Sequence, residues 1–576
     1  MKVKLAKTAG FCMGVRRAMN IALDAANKKK GDLYTYGPIV HNPQAVEMLR
    51  EKGVSVIDDN SVSDATVIIR AHGIPPAERQ KIKEAGNLVC DATCPHVARA
   101  HAIIKRGINQ GYTAIIIGDK GHAEVNGLLG YAAGNGYVVE SAADVNELPH
   151  HIEKACIVAQ TTQDRKNFDE IVAALKKRVS DVQIYDTICD STNMRQKEVR
   201  ELAQEVDAMV IVGGKNSANT QRLQEISQST GVPSFHIEGE DELASLGLEQ
   251  YENIGVMAGA STPNWVINKV IERIKLLIKM RQNKLLILME KIGDFIVGSS
   301  LYLSLGAVSM GYASLVFQGI RPSATILSII FLYIFSVHIF NRYTEKVEGE
   351  FYDSIRSRIF KKFGNAFIAT AIIASVISLY LSYVLGMRDF FLLLFSYMMG
   401  VIYSLKIVPE RLHHITEYKR LKDFPGSKDV FVALAWAWVI VLIPNLNQGT
   451  FFTYQSLSIM AFIIASVFIR SVVFDVVGIE GDRIVGRETI PILIGPKRTE
   501  IMLLIITIII GVYMGMSAAF GLVSALAYYF VLSPVLMVAS LYIIQKRHIQ
   551  ANRMFEVLID SFFILIGLIT YVWQVL

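Results

Sequence analysis

The sequence predicts an α/β soluble half followed by an all-α, polytopic membrane half, and three observations support this division. Residues 1–270 carry charges throughout and alternate short apolar runs with amphipathic stretches, which is the pattern of parallel sheets covered by helices. From about residue 285 onward, the chain consists mostly of apolar runs long enough to span a bilayer. Between the halves, apolar residues follow a helical rhythm while lysines and arginines occupy the other face. We therefore expect a soluble domain at 1–278, a basic amphipathic connector at 279–294 and a membrane domain at 295–576.

Composition and charge narrow the functional classes. The chain has 576 residues and a formal net charge of +6, which is small for this length, and we expect no nucleic-acid partner. Its opening residues are polar and lack the apolar core of a signal peptide, so we expect the first half to remain in the cytosol. All five cysteines lie in that half. In a reducing compartment an odd, sparse set predicts metal ligands or buried side chains rather than disulfides.

Polar side chains follow several predicted strands at the point where each strand ends. The run Tyr112–Gly118 is short, β-branched and closed by glycine, as expected of a buried parallel strand, and His122 and Glu124 follow it. Taken alone, this pair also fits a solvated surface loop. The same pattern recurs at five further places, which are residues 40–42, 70–73, 160–163, 213–219 and 258–263. Because ligands bind beyond the carboxyl ends of strands in open α/β sheets, we expect one polar pocket that grips an anion and passes a proton.

Three cysteines each precede a predicted helix. Cys12, Cys94 and Cys189 stand at helix starts, where the positive end of the helix dipole favours a thiolate. Their spacing of roughly 80 and 95 residues suggests three lobes, each donating one ligand. Three cysteine ligands leave one coordination position open, which fits either a 4Fe–4S cluster or a catalytic zinc. Cys156 lies inside an apolar strand and is expected to be buried, whereas Cys90, four residues before Cys94, stays ambiguous.

The motifs of the soluble half resemble those of the LytB-type 4-hydroxy-3-methylbut-2-enyl diphosphate reductases of the non-mevalonate isoprenoid pathway. The likeness covers residues 1 to about 278. It rests on separate motifs in order, which are GFCMGVRRA, PIVHN, RAHG, DATCP, GHAEVNG, QTTQ, CDSTNMRQ, GGKNSANTQRL and AGASTP.

This resemblance implies three pseudo-equivalent lobes with parallel sheets around a central 4Fe–4S cluster. The cluster would be held by Cys12, Cys94 and Cys189, and the diphosphate by His41, His72, His122, Ser217, Asn219 and Ser261. Glu124 would be the proton donor, and a Thr of the QTTQ motif would join the relay, with Thr161 favoured over Thr162. An external one-electron donor of the ferredoxin or flavodoxin type is implied as well. The family often has a second Ser where this chain has Ala218.

The implied chemistry sets two electrostatic expectations. A diphosphate is a dense anion, so bound phosphate oxygens should push nearby histidines toward their charged form. Glu124, buried beside an anion, should hold its proton more tightly than a free Glu and so protonate a leaving hydroxyl.

The membrane half is expected to contain about nine helices. They lie near residues 295–317, 324–343, 366–386, 390–405, 430–445, 455–475, 502–521, 524–544 and 556–574. Basic residues are concentrated in alternate loops, on the side that the soluble half occupies. By the positive-inside rule we expect a multi-pass protein of the inner (cell) membrane whose soluble half and basic loops are cytosolic.

The membrane half resembles the UbiA-type membrane prenyltransferases. The likeness spans roughly residues 285–576 and rests on DVVGIEGDRIVGRETIPILIG at 475–495 and RLKDFPGSKDVFVALAWAW at 420–438. It implies a Mg²⁺–prenyl diphosphate site that involves Asn341, Glu345, Asp475 and Asp482, with Lys422 and Arg483 as candidate diphosphate partners. The chain departs from the family pattern at three positions: Arg342 and Glu345 replace aspartates of the first motif, and Gly478 replaces one of the second.

Two alternatives remain open at the level of sequence. One is a reductase joined to a degenerate, non-catalytic membrane anchor. The other, for the soluble half, is a zinc hydrolase or a metal-binding module without catalysis, because zinc also accepts three cysteines and a water.

Overall fold

The structure is a computed structural model that describes residues 2–28, 31–59, 61–279, 284–344, 355–404, 424, 426–449, 452–546 and 553–576. The chain divides into two compact units, Met1–Gln282 and Asn283–Leu576. The proposed sequence boundaries at 278 and 294 lie near this division.

The first unit contains three four-stranded sheets, and every paired strand in them is parallel. In spatial order, the first sheet consists of Val54–Ile57, Leu33–Tyr36, Thr66–Ile69 and Leu88–Asp91. The second consists of Gly136–Val139, Thr113–Ile117, Lys154–Ala159 and Asp181–Ile184. The third consists of Lys2–Leu5, Asn253–Ala258, Ala208–Val212 and Ser234–Ile237. The predicted α/β fold with parallel sheets is confirmed.

The three sheets share one strand order, and the third obtains its last strand from the start of the chain. In the first two sheets, the strand that comes first in sequence lies between the second and the third, and the fourth follows the third. In the third sheet, the strands that correspond to the first, second and third strands of the other two sheets are Ala208–Val212, Ser234–Ile237 and Asn253–Ala258. Lys2–Leu5 corresponds to their fourth strand. The lobes are therefore equivalent in topology, which is what three-fold donation of ligands requires.

Helices cover both faces of these sheets. In the second sheet Ile115 and Ile117 belong to one buried cluster, whereas Ala114 and Ile116 belong to another on the opposite face. Burial on both sides explains why this strand is a continuous apolar run. The helices of the unit are Met13–Lys28, Pro43–Glu51, Pro76–Glu84, Pro95–Asn109, Ala123–Tyr131, Arg165–Arg178, Asp190–Ala203, Ala218–Gln228 and Asn264–Lys279.

The second unit is helical in the part that the structure describes. Its longer helices are Lys284–Gly298, Leu301–Phe317, Ala324–Thr344, Ile355–Leu385, Met387–Ser404, Ser427–Ala437, Tyr454–Val485, Pro496–Ala519, Leu532–Lys546 and Arg553–Val575. The helix that begins at Ser427 continues through a π-helical turn, Trp438–Leu442, into Ile443–Asn447. Shorter helices are Ile490–Ile494 and Leu526–Phe530.

Fewer helices pass as membrane spans than the sequence predicts. Each of the nine predicted stretches overlaps a described helix, and seven of the described helices are long and apolar enough to cross a bilayer. A further pair, Leu288–Gly298 and Leu301–Phe317, is bent by 60° and raises the number to eight if it forms one span. Ser300, at the break, has a left-handed φ of 66°, which ends the first helix. In its described residues, the unit is a membrane domain of seven or eight candidate spans, against the nine predicted.

Candidate active site

One cavity in the first unit, of about 120 Å³, brings together the residues that the sequence singles out in all three lobes. They lie at the carboxyl ends of strands or at the first turns of helices, as strand-end geometry predicts. The side chains that line it include those of Cys12, Cys94, Cys189, His41, His72, His122, Glu124, Thr161, Thr162, Ser217, Asn219 and Ser261.

The three cysteines stand at the N-terminal ends of three different helices. Cys94 and Cys189 are the N-cap residues of Pro95–Asn109 and Asp190–Ala203, and Cys12 directly precedes Met13–Lys28. The Sγ of Cys12 accepts a hydrogen bond from the Val15 N–H at 3.4 Å. The Sγ of Cys189 accepts one from the Thr192 N–H at 3.3 Å. These backbone donors and the helix dipoles favour thiolates at the site.

Close packing between two of these helices requires a glycine. A Cβ atom on Gly14 would lie 2.4 Å from the Sγ of Cys94, a distance that no real Cβ contact has. The missing side chain therefore leaves room for the Cys94 sulfur beside the first turn of Met13–Lys28. Burial raises the pKa of the Cys94 and Cys189 thiols, whereas hydrogen bonds at the two helix starts lower it. Three converging soft sulfur ligands fit an iron–sulfur cluster or zinc.

The two other cysteines do not line this cavity. Cys156 is 1% exposed in Lys154–Ala159, and a Cβ on Gly107 would lie 2.9 Å from its sulfur, so it packs as a small apolar group, as expected. Cys90 is half-buried in Leu88–Asp91, four residues before Cys94.

Three histidines form a compact group in the cavity. The ring centroids of His41 and His72 are 4.6 Å apart, and those of His122 lie 5.8 Å and 5.6 Å from them. Among the described residues, the buried His41 Nε2 and His72 Nδ1 have no hydrogen-bond partner. Buried nitrogens without partners indicate that a ligand completes their hydrogen bonding.

The surroundings of the histidines favour an anion. Burial lowers the pKa of all three, that of His122 to about 4, and the nearby Arg70 guanidinium lowers each of them further. Ring nitrogens of the group lie within 4.8 Å of one another, close enough to hold a metal ion. However, the fixed positive charge of Arg70 near the rings opposes a cation and attracts a phosphate, and so do the helix N-termini around them.

The third lobe contributes hydroxyl and amide donors. Ser217 caps Ala218–Gln228, and the Nδ2 of Asn219 is buried with no partner among the described residues. The Ser261 hydroxyl donates to the His41 carbonyl oxygen at 3.1 Å and so joins this lobe to the first histidine loop. Ala218 also lines the cavity, as the first residue of its helix, where a free N–H points outward.

Glu124 and Thr161 form a buried hydrogen-bonded pair. The Thr161 N–H donates to Glu124 Oε1 at 2.6 Å, and its hydroxyl donates to Oε2 at 2.9 Å. Burial raises the pKa of Glu124 to about 7, although these two hydrogen bonds act in the opposite direction. The neighbouring Thr162 instead accepts a hydrogen bond from Gln160, at 2.9 Å. Glu124 is thus a carboxyl group that carries a proton near neutral pH, and of the two threonines Thr161 contacts it.

Comparison with known proteins decides the family of this half. Residues 3–275 match the family described as LytB protein. A 4-hydroxy-3-methylbut-2-enyl diphosphate reductase from Geobacter sulfurreducens is 43% identical over 276 residues, which are 48% of this chain and 97% of that relative. The chain belongs to the LytB family. A solved structure of (E)-4-hydroxy-3-methyl-but-2-enyl diphosphate reductase is 42% identical with a TM-score of 0.40, and the match covers 48% of this chain and all of that one.

Three further residues of the LytB domain support the site, and sequence reasoning does not single them out. The Arg70 guanidinium lowers the pKa of all three histidines, and its motif RAHG contains it. The Thr192 hydroxyl donates to the Thr161 carbonyl oxygen at 3.1 Å and lies 3.0 Å from the Cys189 sulfur. Arg222 pairs with Asp119 at 3.0 Å and also donates to the Thr162 carbonyl oxygen at 2.7 Å. Their position inside the quoted motifs is the signal that would have found them.

The membrane unit separates its predicted residues. Asp475 and Asp482 are buried on the one helix Tyr454–Val485. Lys428 Nζ lies 3.7 Å from Asp475, and Arg487 lies 3.9 Å from Asp482. Asn341 lines another cavity, of about 220 Å³, which is walled by aromatic side chains and does not include the two aspartates. Glu345 and Lys422 lie outside the described residues, and Arg483 is half-buried on the aspartate helix.

A third carboxylate accompanies these aspartates and is missed by sequence reasoning. Asp429 is buried on the neighbouring helix Ser427–Ala437 and accepts a hydrogen bond from Ser471 at 2.5 Å. It also contacts Asp475 by a side-chain hydrogen bond. Its place in the stretch 420–438 is the signal that points to it.

The second half matches a second family. Residues 300–566 match the model of the UbiA prenyltransferase family. A solved structure of a UbiA homolog from Archaeoglobus fulgidus, bound to GPP and Mg²⁺, is 15% identical with a TM-score of 0.35, and the match covers 48% of this chain and 99% of that one. The chain therefore joins a LytB domain to a UbiA-family domain, as the sequence predicts.

Proposed function

We propose that the LytB domain reduces (E)-4-hydroxy-3-methylbut-2-enyl diphosphate to isopentenyl and dimethylallyl diphosphate. The substrate takes up two electrons and two protons, loses its hydroxyl as water and gains a C–H bond at either end of the allyl group. One observation carries this proposal: cysteine ligands, anion-binding donors and a proton-bearing carboxyl group line a single cavity. The relatives, which this chain matches over nearly their whole length, are named diphosphate reductases, and these names support the same substrate.

The chain binds the diphosphate with fixed donors. His41, His72 and His122 present imidazole nitrogens, and Ser217, Asn219 and Ser261 present hydroxyl and amide groups from the opposite lobe. A bound diphosphate raises the pKa of the histidines, which reverses the effect of burial and adds positive charge where it is needed. Many charge-assisted hydrogen bonds from rigid elements hold the anion and exclude water.

Glu124 delivers a proton. Its carboxyl group is held by two hydrogen bonds from Thr161 and lies in the cavity that contains the cysteines. A carboxyl group with a pKa of about 7 is still partly protonated at neutral pH and can protonate a departing hydroxyl as water. Thr161 keeps Glu124 in place and, through its own hydroxyl, lies on the path by which the proton is replaced.

Cys12, Cys94 and Cys189 are the residues that would hold a 4Fe–4S cluster. When bound, such a cluster supplies one-electron transfer and a Lewis-acidic iron with a free coordination position. The gap left at Gly14 and the sulfur atoms at three helix N-termini fit this group. The electrons come one at a time from an external donor of the ferredoxin or flavodoxin type.

Anaerobic reconstitution of the full chain in detergent tests the reductase. We expect about four iron and four sulfide per chain, visible absorbance that bleaches in oxygen, and substrate-dependent oxidation of a reduced viologen dye. Cys90→Ser serves as a matched control that keeps iron, whereas Cys94→Ser loses it. A preparation that binds zinc, takes up no iron and oxidises no dye would contradict the proposal and favour the zinc hydrolase.

We propose in addition that the UbiA-family domain is a Mg²⁺-dependent prenyltransferase. Buried Asp475 and Asp482, with Lys428 beside them, offer carboxylates for Mg²⁺ and a cation for the diphosphate. The protein would lie in the inner (cell) membrane with the LytB domain in the cytosol. Release of pyrophosphate from a labelled prenyl diphosphate, dependent on Mg²⁺ and lost in Asp482→Ala, tests this activity. If neither the wild-type chain nor the Asp482→Ala variant releases pyrophosphate, the domain is a non-catalytic anchor.

A further inference from the structure

The helix that begins at Cys189 also holds the segment that leads to Cys12. Glu198, on this helix, accepts hydrogen bonds from the backbone N–H groups of Lys7 at 2.5 Å and Thr8 at 2.9 Å. It accepts a third from the Thr8 hydroxyl at 2.6 Å. Both carboxylate oxygens are therefore occupied by the incoming segment. One helix thus carries one cysteine of the site and fixes the approach of another.

Arg195 makes the second link between these two segments. It lies one turn before Glu198 and is only 4% exposed. Its guanidinium donates to the Gly10 carbonyl oxygen at 2.6 Å and to the Ser191 carbonyl oxygen at 3.3 Å, and it also contacts the Ser191 hydroxyl. A positive charge is therefore buried between the loop before Cys12 and the first turn after Cys189.

Within the described part of the chain, no carboxylate lies at ion-pair distance from this charge, although Glu198 acts on it from farther away. Arg195 forms no ion pair there, and its buried Nε has no hydrogen-bond partner. Burial lowers the pKa of Arg195, and the nearby Arg16 lowers it too, whereas Cys12, Cys189 and then Glu198 favour the charged form. Because an arginine remains charged and a buried charge without an ion-pair partner is costly, a negative group at the cysteines would offset it.

We propose that Arg195 is the fixed counter-charge of the metal centre and sets its reduction potential. The inference rests on the proposed function, since it requires a 4Fe–4S cluster on the three cysteines. The step concerned is the uptake of one electron, by which the cluster core changes from 2+ to 1+ while no bond forms or breaks. A nearby cation stabilises the more negative, reduced state and so raises the potential. Arg195 is a positioning residue as well, because it holds Gly10.

The test is a redox titration of the full chain, reconstituted anaerobically and followed by electron paramagnetic resonance, with dithionite as the electron source. Arg195→Gln removes the charge and keeps a donor, whereas Arg195→Lys keeps the charge. At a fixed potential we expect the ratio of reduced to oxidised cluster to fall about tenfold in the Gln variant, which corresponds to about 59 mV for one electron. We expect it to stay within about twofold in the Lys variant. Lys197→Gln, on the same helix but exposed and paired with Glu201 at 3.7 Å, is the control that should not shift.

Iron content separates the remaining outcomes. Loss of iron in the Gln variant alone would support the proposal, because charge is then needed to hold the cluster. Loss in both variants would show that hydrogen-bond geometry matters and would overturn it, as would a fully loaded Gln variant with an unchanged potential. A wild-type chain that takes up no iron and sulfide would overturn the proposed function together with this inference, whereas the other two failures leave that function intact.

Discussion

The two halves of this protein place their predicted residues in different ways. In the LytB domain, side chains from six strand ends and from three helix starts that carry cysteines line one cavity. In the UbiA-family domain, Asp475 and Asp482 share one helix, whereas Asn341 lines another cavity. The difference follows from topology. The carboxyl ends of parallel strands meet at one edge of a sheet, so a motif after a strand has a predictable location, but a motif on a long helix can face any neighbour.

Removal of a proposed cluster ligand from the LytB cavity should have the largest effect. Cys189→Ser deletes a thiolate that also accepts the Thr192 N–H. We expect iron content to fall by most of its value and dye oxidation to fall to background, because two cysteines do not hold the cluster. Iron and sulfide analysis with the dye assay measures both effects. Cys90→Ser is the matched control, and an equal loss there would remove the distinction between lining and non-lining cysteines.

Replacing the proton donor tests the chemistry of the same cavity without disturbing its ligands. Glu124→Gln keeps the size of the side chain and can still accept from Thr161, but it carries no acidic proton. We expect turnover to fall about 10² to 10⁴-fold, the usual contribution of a general acid, while the cluster absorbance persists. Wild-type turnover in this variant would exclude Glu124 as the acid. Thr161→Val should retain more activity than Glu124→Gln, because it removes a hydroxyl partner of the acid but leaves the acid itself in place.

Substitution of a proposed Mg²⁺ ligand provides the corresponding test in the membrane domain. Asp475→Asn replaces a buried carboxyl group, 3.7 Å from the Nζ of Lys428, with a neutral amide. We expect Mg²⁺-dependent pyrophosphate release to fall at least about a hundredfold, since Mg²⁺ at a diphosphate contributes several kcal/mol to such reactions. Dye oxidation by the LytB domain should not change.

The control for this variant is another buried carboxylate of the membrane domain. Asp389 accepts a hydrogen bond from Asn447 at 3.1 Å, apart from the Asp475 helix. Asp389→Asn should keep pyrophosphate release. If both variants lose it equally, the effect is loss of folding rather than loss of a Mg²⁺ ligand.

Much of the LytB site was predictable because each motif combines a strand end with chemically specific side chains. The same reasoning missed Thr192, Arg222 and Arg195, whose residue types also occur in ordinary helices. Their roles depend on which lobe lies opposite, and that is fixed by packing rather than by local pattern. The closure of the third sheet by Lys2–Leu5 has no local signal at all, because it pairs the start of the chain with a strand near residue 255.

In the membrane domain, apolar length predicted where helices lie but not how many cross the bilayer. Each of the nine predicted stretches overlaps a described helix, yet Met387–Ser404 is not among the candidate spans, and the break at Ser299 and Ser300 bends another stretch by 60°. Hydropathy averages over such a break, so it does not register a left-handed residue at position 300. The first aspartate-rich motif is degenerate in this chain. The sequence pattern also gave no reason to single out Asp429 as a site residue.

The pH dependence of turnover gives the smallest expected effect and tests the electrostatics of the converging site. The pKa of Glu124 is raised by burial to about 7, above the ordinary value of 4.5. The acid form is therefore present below pH 7 and is lost as the pH rises through that value. Burial lowers the pKa of the histidines instead, and the charge that a bound anion restores to them is lost again as the pH rises. Both effects weaken the reaction at high pH.

We therefore expect kcat to decline above a pH of about 7 or higher, by up to about tenfold per unit, because a bound diphosphate raises the pKa of Glu124 further. Steady-state dye oxidation between pH 6 and 9 measures this limb. His122→Gln should weaken substrate binding, seen as a raised KM, while the pH at which kcat declines stays close to that of the wild type. If the pH at which kcat declines shifts in His122→Gln and does not depend on Glu124, the acid belongs to the histidine group. The carboxyl group would then serve only to position Thr161.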